Sequence, residues 1–249
     1  MKIQDAHIII TGAGSGFGKA MSLHFASHGA KVHAFDINEE ALSVLQKENE
    51  DISIYTCDVS NQTQVEQTVE AAFEADSQIN ALINNAGIMK NAPLINLLKR
   101  PDSKHDFDLW DQVIKVNQYS VFLMTRSVVE KMIRKRNKGV LLHMSSIAAQ
   151  GNAGQTAYAA SKAAVEAMSK AWSKEFGSFG IRSVCIAPGF INTLGTHDAL
   201  EEKMLAHWVS QTPLRRTGEI DEIVHAATFA IENDFFNGET IHLNGGLTI

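Results

Sequence analysis

Short apolar runs alternate with amphipathic stretches along all 249 residues. HIIIT (7–11), KVHAFD (31–36), ISIYTCD (52–58), ALINN (81–85), GVLLHM (139–144), RSVCIA (182–187) and ETIHL (239–243) read as strands. Several are rich in Val and Ile, as strands buried on both faces are. Between them, helical spacing predicts helices over Gly16–His28, Glu39–Glu48, Thr63–Ala75, Phe107–Arg134, Tyr158–Phe176 and Glu219–Ile231. Strand and helix in alternation imply a doubly wound α/β fold, a mainly parallel sheet with helices on both faces, because right-handed crossovers place them there. No repeat, low-complexity linker or composition break divides residues 1–249, so one domain is expected. Two stretches are irregular. Residues 89–105 hold two of the four prolines and predict an insertion loop. Residues 189–213 follow a Pro-Gly pair and turn amphipathic, with Leu200, Met204, Leu205, Trp208 and Val209 near helical spacing. Both follow strand C-termini, where such folds bind ligands, and 189–213 is expected to close over substrate as a lid.

Composition narrows the setting. A hydrophobic fraction of 45% supports a substantial core, and a net charge of −6 argues against general binding to nucleic acid or anionic membranes. The basic run KMIRKRNKG (131–139) falls at a predicted helix C-terminus, where it complements the dipole. No run approaches the roughly 20 apolar residues of a membrane helix. MKIQDAHIIITGAG has too short an apolar stretch for a signal peptide, so a cytoplasmic protein is expected. Cys57 and Cys185 lie in apolar runs and read as small core residues in a reducing compartment. The histidines form no grouping with cysteine or carboxylate of metal-ligand type, and no metal is expected.

TGAGSGFG (11–18) follows the first strand and opens the first helix. Gly12, Gly16 and Gly18 keep side chains away from a helix N-terminus whose N–H groups and dipole suit a pyrophosphate. Asp36 ends the second strand, where a carboxylate accepts from the ribose hydroxyls and repels a 2′-phosphate. Ser15 stands in the turn where a basic residue could neutralise that phosphate, so NAD is expected over NADP. Asp58 ends the third strand and either accepts from adenine or caps its own turn. NNAG (84–87) ends the fourth, where two amides and a glycine would hold irregular backbone against the cofactor.

Tyr158 and Lys162 fall one turn apart on the predicted sixth helix. The pair is either an aromatic packed under a lysine stem or a proton donor beside a cation. The order of the glycine turn, Asp36, NNAG, Asn117, paired serines, YxxxK and Pro188-Gly189 resembles the short-chain dehydrogenase/reductase family across the whole chain. The resemblance implies a single Rossmann-type sheet of seven strands and hydride exchange between nicotinamide and an alcohol or ketone. It implies a catalytic set of Asn117, Ser145, Tyr158 and Lys162. Ser145, thirteen residues before Tyr158, is preferred to Ser146. Lys162 and cationic nicotinamide would lower the phenol's pKa, Ser145 would hydrogen-bond the substrate oxygen, and Asn117 would hold a water behind the lysine. To the cofactor set it adds Val59, Asn85, Ala86, Gly87, Tyr158, Lys162, Pro188, Gly189, Ile191 and Thr193. Phe17, where an aliphatic residue is usual, departs from the pattern and would bulk the phosphate end.

The substrate is less legible. The tail IENDFFNGETIHLNGG and the insertion are similar to the 3-hydroxyacyl-CoA/hydroxysteroid branch, so a hydrophobic secondary alcohol of that kind is expected. A 3-oxoacyl-thioester (acyl-carrier-protein) reductase or polyol dehydrogenase is the alternative, and a non-catalytic dinucleotide sensor is the alternative of another class. Lys99, Arg100, Lys104 and His105 either meet CoA phosphates or form a solvated loop. A homotetramer is expected, with Val121, Met124, Val128, Ala163 and Ala167 left apolar and exposed in a monomer beyond a sheet-facing stripe of Val113, Val116, Phe122 and Val129.

Overall fold

The computed structural model describes residues 1–98, 101–193 and 202–249. Its strands are β1 (His7–Thr11), β2 (Lys31–Asp36), β3 (Ser53–Thr56), β4 (Ala81–Asn84), β5 (Gly139–Met144), β6 (Ile181–Pro188) and β7 (Thr240–Leu243). They form one sheet in the order 3-2-1-4-5-6-7, and every pairing is parallel. β1, β4, β5 and β6 are buried almost throughout and read as unbroken apolar runs. The edge strands β3 and β7 are only half-buried.

The helices are α1 (Gly16–Ser27), α2 (Glu39–Glu48), α3 (Gln62–Ala75), α4 (Phe107–Ile114), α5 (Ser120–Lys135), α6 (Thr156–Phe176), α7 (Glu202–Gln211) and α8 (Ile220–Glu232). Met21 and Phe25 of α1, Leu42 and Leu45 of α2 and Ile223 and Ala227 of α8 pack on one face of the sheet. Val65 and Val69 of α3 and Leu123, Met124 and Val128 of α5 pack on the other, where α6 adds Val165 and Trp172. Cys57 and Cys185 are free thiols within these cores.

The single helix expected over Phe107–Arg134 is broken in phase. Lys115–Tyr119 form a π turn, with Ser120 N donating to Lys115 O. One extra residue in a turn rotates everything after it by about 100°. Val121, Met124 and Val128 are therefore buried inside the chain, against the expectation that they stay exposed. Phe122, expected on the sheet-facing stripe, is exposed instead. Ala163 and Ala167 are exposed as expected.

Candidate active site

The C-terminal ends of β1, β4, β5 and β6 lie along one sheet edge and carry the sequence-predicted residues. At β1, Gly12 and Gly16 adopt φ of +64° and +51°, a region costly for other residues. A Cβ on Gly18 would stand 2.0 Å from Gly12 O, and one on Gly12 would stand 2.9 Å from Ala86 Cα. The turn can therefore approach α1 and the β4 end closely only as glycine. A Cβ on Gly16 would meet nothing within 4 Å, so the space over the helix end is open. Asn38, Asn61 and Asp106 cap α2, α3 and α4 with side-chain oxygens. Ser15, at the same position of α1, makes no side-chain cap. Its first-turn N–H groups are left for an anion, so the residues present fit a dinucleotide pyrophosphate. Phe17 packs against the apolar core rather than bulking the phosphate end.

Backbone hydrogen bonds tie the other predicted contacts to this turn. Asp36 Oδ2 accepts from Gly14 N at 2.8 Å and Oδ1 from Asn38 N at 2.9 Å, which holds the carboxylate at the turn. Asn85 Nδ2 donates to Thr11 O and Gly12 O, and Thr11 Oγ1 accepts from Asn85 N and Ala86 N. Asn84 is buried and architectural, its amide donating to Thr125 Oγ1 and the Nδ1 of buried His143. Burial holds His143 neutral, its pKa pulled down to about 3. Asp58 takes the capping role, Oδ1 accepting from the backbone and hydroxyl of Ser60. Val59 beside it is buried. Beyond Pro188, Gly189 N donates to Leu243 O and Ile191 bridges to Gly218, which turns the backbone of the segment up to Thr193 along the same edge.

Lys162 lies almost wholly buried, its Nζ donating to Met144 O at 2.7 Å and standing 5.7 Å from the centre of the Tyr158 ring. Burial draws its pKa down from 10.5 to about 8. Gly87 makes room for this group, since a Cβ there would lie 3.2 Å from Asn117 Oδ1 and 3.6 Å from Lys162 Nζ. Burial pushes the Tyr158 phenol up, while a hydrogen bond with Ser146 pulls it down. Lys162, expected to lower the phenol, is instead held by the Met144 carbonyl. Asn117, on the π turn, is fully buried and its amide pairs with Ile88 backbone, accepting from N at 2.7 Å and donating to O at 2.8 Å.

The two serines separate. Ser145 N donates to Ile186 O and continues the ladder of β5, in phase with Leu141 and His143, whose side chains face the α5–α6 layer. Its hydroxyl is buried there and donates to Glu166 Oε1 at 2.6 Å. The thirteen-residue spacing thus points to a hydroxyl turned away from the phenol. Ser146, where the chain leaves the strand, is the serine that meets Tyr158. Strand phase, counted from Leu141, is the signal that separates them.

The insertion docks beside this group. Ala92 N donates to Gly154 O, and Gln155 Nε2 donates to Asn91 Oδ1, just before α6. Of the basic cluster, Lys99 and Arg100 lie outside the described residues, Lys104 is exposed, and His105 is half-buried with Nδ1 3.2 Å from Ala92 O. Leu200 and the centre of the expected lid also lie outside them. The lid's described part is α7, whose Trp208 stacks on Phe190 at 5.3 Å. No group of three or more potential metal ligands is placed for a metal, and no helix is long and apolar enough to cross a membrane, among the described residues.

Comparison with known proteins agrees with this site. A family model described as enoyl-(acyl carrier protein) reductase matches residues 12–248. The chain is 39% identical to the 3-oxoacyl-[acyl-carrier-protein] reductase FabG of Thermotoga maritima, with both chains covered in full. It is 33% identical to the (2S)-[(R)-hydroxy(phenyl)methyl]succinyl-CoA dehydrogenase subunit BbsD of Thauera aromatica, covering 100% of this chain and 99% of that one. It is 30% identical to the sorbitol-6-phosphate 2-dehydrogenase of Klebsiella pneumoniae, covering 100% and 98%. With the glycine turn, the Tyr158–Lys162 pair and the parallel sheet that joins them, the chain belongs to the short-chain dehydrogenase/reductase family of nicotinamide-dependent oxidoreductases.

Proposed function

We propose that the protein is an NAD-linked oxidoreductase that reduces a 3-oxoacyl thioester to the 3-hydroxyacyl form. The observation that carries the chemistry is the Tyr158 phenol, met by Ser146 and one turn from buried Lys162, at the sheet edge that bears the open glycine turn. The thioester rests on the relatives, two of whose names specify acyl-carrier-protein or CoA substrates. This reading prefers the reductase alternative to the 3-hydroxyacyl-CoA or hydroxysteroid dehydrogenase expected from the tail.

The bound dinucleotide supplies hydride to the carbonyl carbon. Ser146 orients the carbonyl oxygen by donating to it, and Tyr158 gives its proton to that oxygen as the C–O double bond becomes a C–O single bond. Burial keeps the phenol protonated at neutral pH, which suits a donor. Lys162, its proton affinity drawn toward neutrality, is placed to return a proton to the phenolate. Asn117 holds Ile88, and with it the NNAG loop, against this group. Gly12, Gly16, Gly18 and the α1 N-terminus would hold the pyrophosphate and Asp36 the ribose. Val59, Asn85, Ala86, Gly87, Pro188, Gly189, Ile191 and Thr193 would line the rest of the dinucleotide. The Asp36 carboxylate favours NAD by repelling a 2′-phosphate.

Reduction of acetoacetyl-CoA, oxidation of a 3-hydroxysteroid and oxidation of sorbitol 6-phosphate, each with the NAD and NADP couples, test the reading by absorbance of the reduced nicotinamide. The highest kcat/KM is expected for the thioester with NADH. A higher value for the sugar phosphate or the steroid would overturn the substrate, and a preference for NADPH would overturn the cofactor.

We further propose a homotetramer, supported by the exposed Phe107, Tyr119 and Phe122 on α4, the π turn and α5 beside Ala163 and Ala167 of α6. Light scattering at micromolar concentration tests it, and a stable monomer would refute it.

A further inference from the structure

The α6 helix meets the sheet differently from its neighbour. α5 packs through Leu123, Met124, Val128 and Met132, an apolar contact that tolerates sliding. On α6, polar side chains one turn apart bind specific atoms of β5 and β6. Lys162 Nζ donates to Met144 O, Glu166 Oε1 accepts from Ser145 Oγ at 2.6 Å, and Ser169 Oγ lies 2.9 Å from Ser183 Oγ. The Ser145 hydroxyl also lies 3.4 Å from Lys162 O. Ser145 is 4% exposed and Glu166 half-buried, so this charge-assisted bond is shielded from water. Ser145 is bonded covalently to Ser146, and Glu166 stands one turn from Lys162 and two from Tyr158. The contact thus joins the two chain segments that must face each other across the substrate.

We propose that Ser145 and Glu166 form a positioning pair that sets the axial register of α6 on β5, and so the distance between Ser146 and Tyr158. This rests on the assignment of Ser146 as the hydroxyl facing substrate. The pair touches neither substrate nor dinucleotide. It acts by pre-organisation, for which a displacement of about 1 Å costs up to about a hundredfold in rate.

The test uses the full-length protein and 3-hydroxybutyryl-CoA oxidation, whose rate climbs with pH as the phenol ionises. Ser145→Ala and Glu166→Ala should each lower kcat about ten- to a hundredfold. NADH affinity should stay within about twofold, because the dinucleotide residues are untouched. The alkaline limb should move to higher pH, because a displaced Ser146 no longer pulls the phenol down. Glu166→Gln, which keeps an acceptor, and Ser145→Thr, which keeps the hydroxyl, should restore most of the rate. The double alanine variant should be no worse than the poorer single one. If alanine prevents folding, Ser145→Cys, similar in volume but a weak donor, replaces it. Additive losses with an unmoved limb would overturn the proposal, as would single variants within about twofold of wild type. Ser146→Ala is the separate control. Its inactivity beside a normal Ser145→Ala would remove only the positioning pair. Its normal turnover beside an inactive Ser145→Ala would remove the Ser146 assignment.

Discussion

Lys162→Met separates what the lysine does for catalysis from what it costs the fold. The ammonium is 5% exposed and its pKa falls from 10.5 to about 8 through desolvation. At about 1.4 kcal/mol per tenfold change in proton affinity, that fall is about 3 kcal/mol held against the folded state while lysine is charged. Methionine fills a similar volume without charge. It leaves the Met144 carbonyl without its 2.7 Å donor, a loss of about 1–2 kcal/mol. The variant should therefore be about 1–2 kcal/mol more stable than wild type at pH 7, yet lose turnover by about a hundredfold or more. The folded pKa lies below the unfolded one, so between about pH 8 and 10.5 the unfolded chain binds more protons. Wild-type stability then rises with pH relative to the variant, and the variant's advantage should vanish by the top of that window. Urea unfolding of both proteins from pH 7 to 10.5 measures the difference, from which all other titrating groups cancel. A variant less stable than wild type at pH 7, or a gap that does not change with pH, would refute the desolvation argument.

Tyr158→Phe should cut turnover by about two orders of magnitude with NADH affinity within a few-fold, read by steady-state kinetics and fluorescence titration; near-normal turnover would end its role as proton donor. Asp36→Ala should narrow the NAD over NADP preference in kcat/KM, since it removes the carboxylate that Gly14 and Asn38 hold at the turn. Gly18→Ala should lower stability by about 2 kcal/mol or more and weaken NADH binding, because its Cβ would stand 2.0 Å from a backbone oxygen; an unchanged melting temperature would contradict the packing. Burial pushes the Cys185 thiol up to about 12 and raises that of Cys57. Neither should react with a disulfide reagent at pH 8 until denaturant is added, and fast labelling of the native protein would show that the cores open.

The sheet was legible because its strands are buried on both faces, which forces short unbroken apolar runs such as GVLLHM, and β5 spans the predicted Gly139–Met144. The glycine turn was legible because a positive φ at Gly12 and Gly16 and the contact at Gly18 admit no side chain. Tyr158 and Lys162 were legible because both lie on one helix, where separation in sequence fixes separation in space. Tertiary structure alone decided what depends on how elements meet. Counting along the chain selected Ser145, but the ladder of β5 runs one residue further than its apolar run and turns that hydroxyl to Glu166. A π turn at Asn117 reversed which residues of α5 are buried, since one inserted residue shifts the phase of all that follow. Lys162 was expected to act on the phenol through its charge, but the Met144 carbonyl holds it and burial, which no local pattern encodes, sets both pKa values. Spacing along a helix or strand is a local property written in the residues; register, phase and desolvation belong to the contacts between elements, and exist only once the chain has packed.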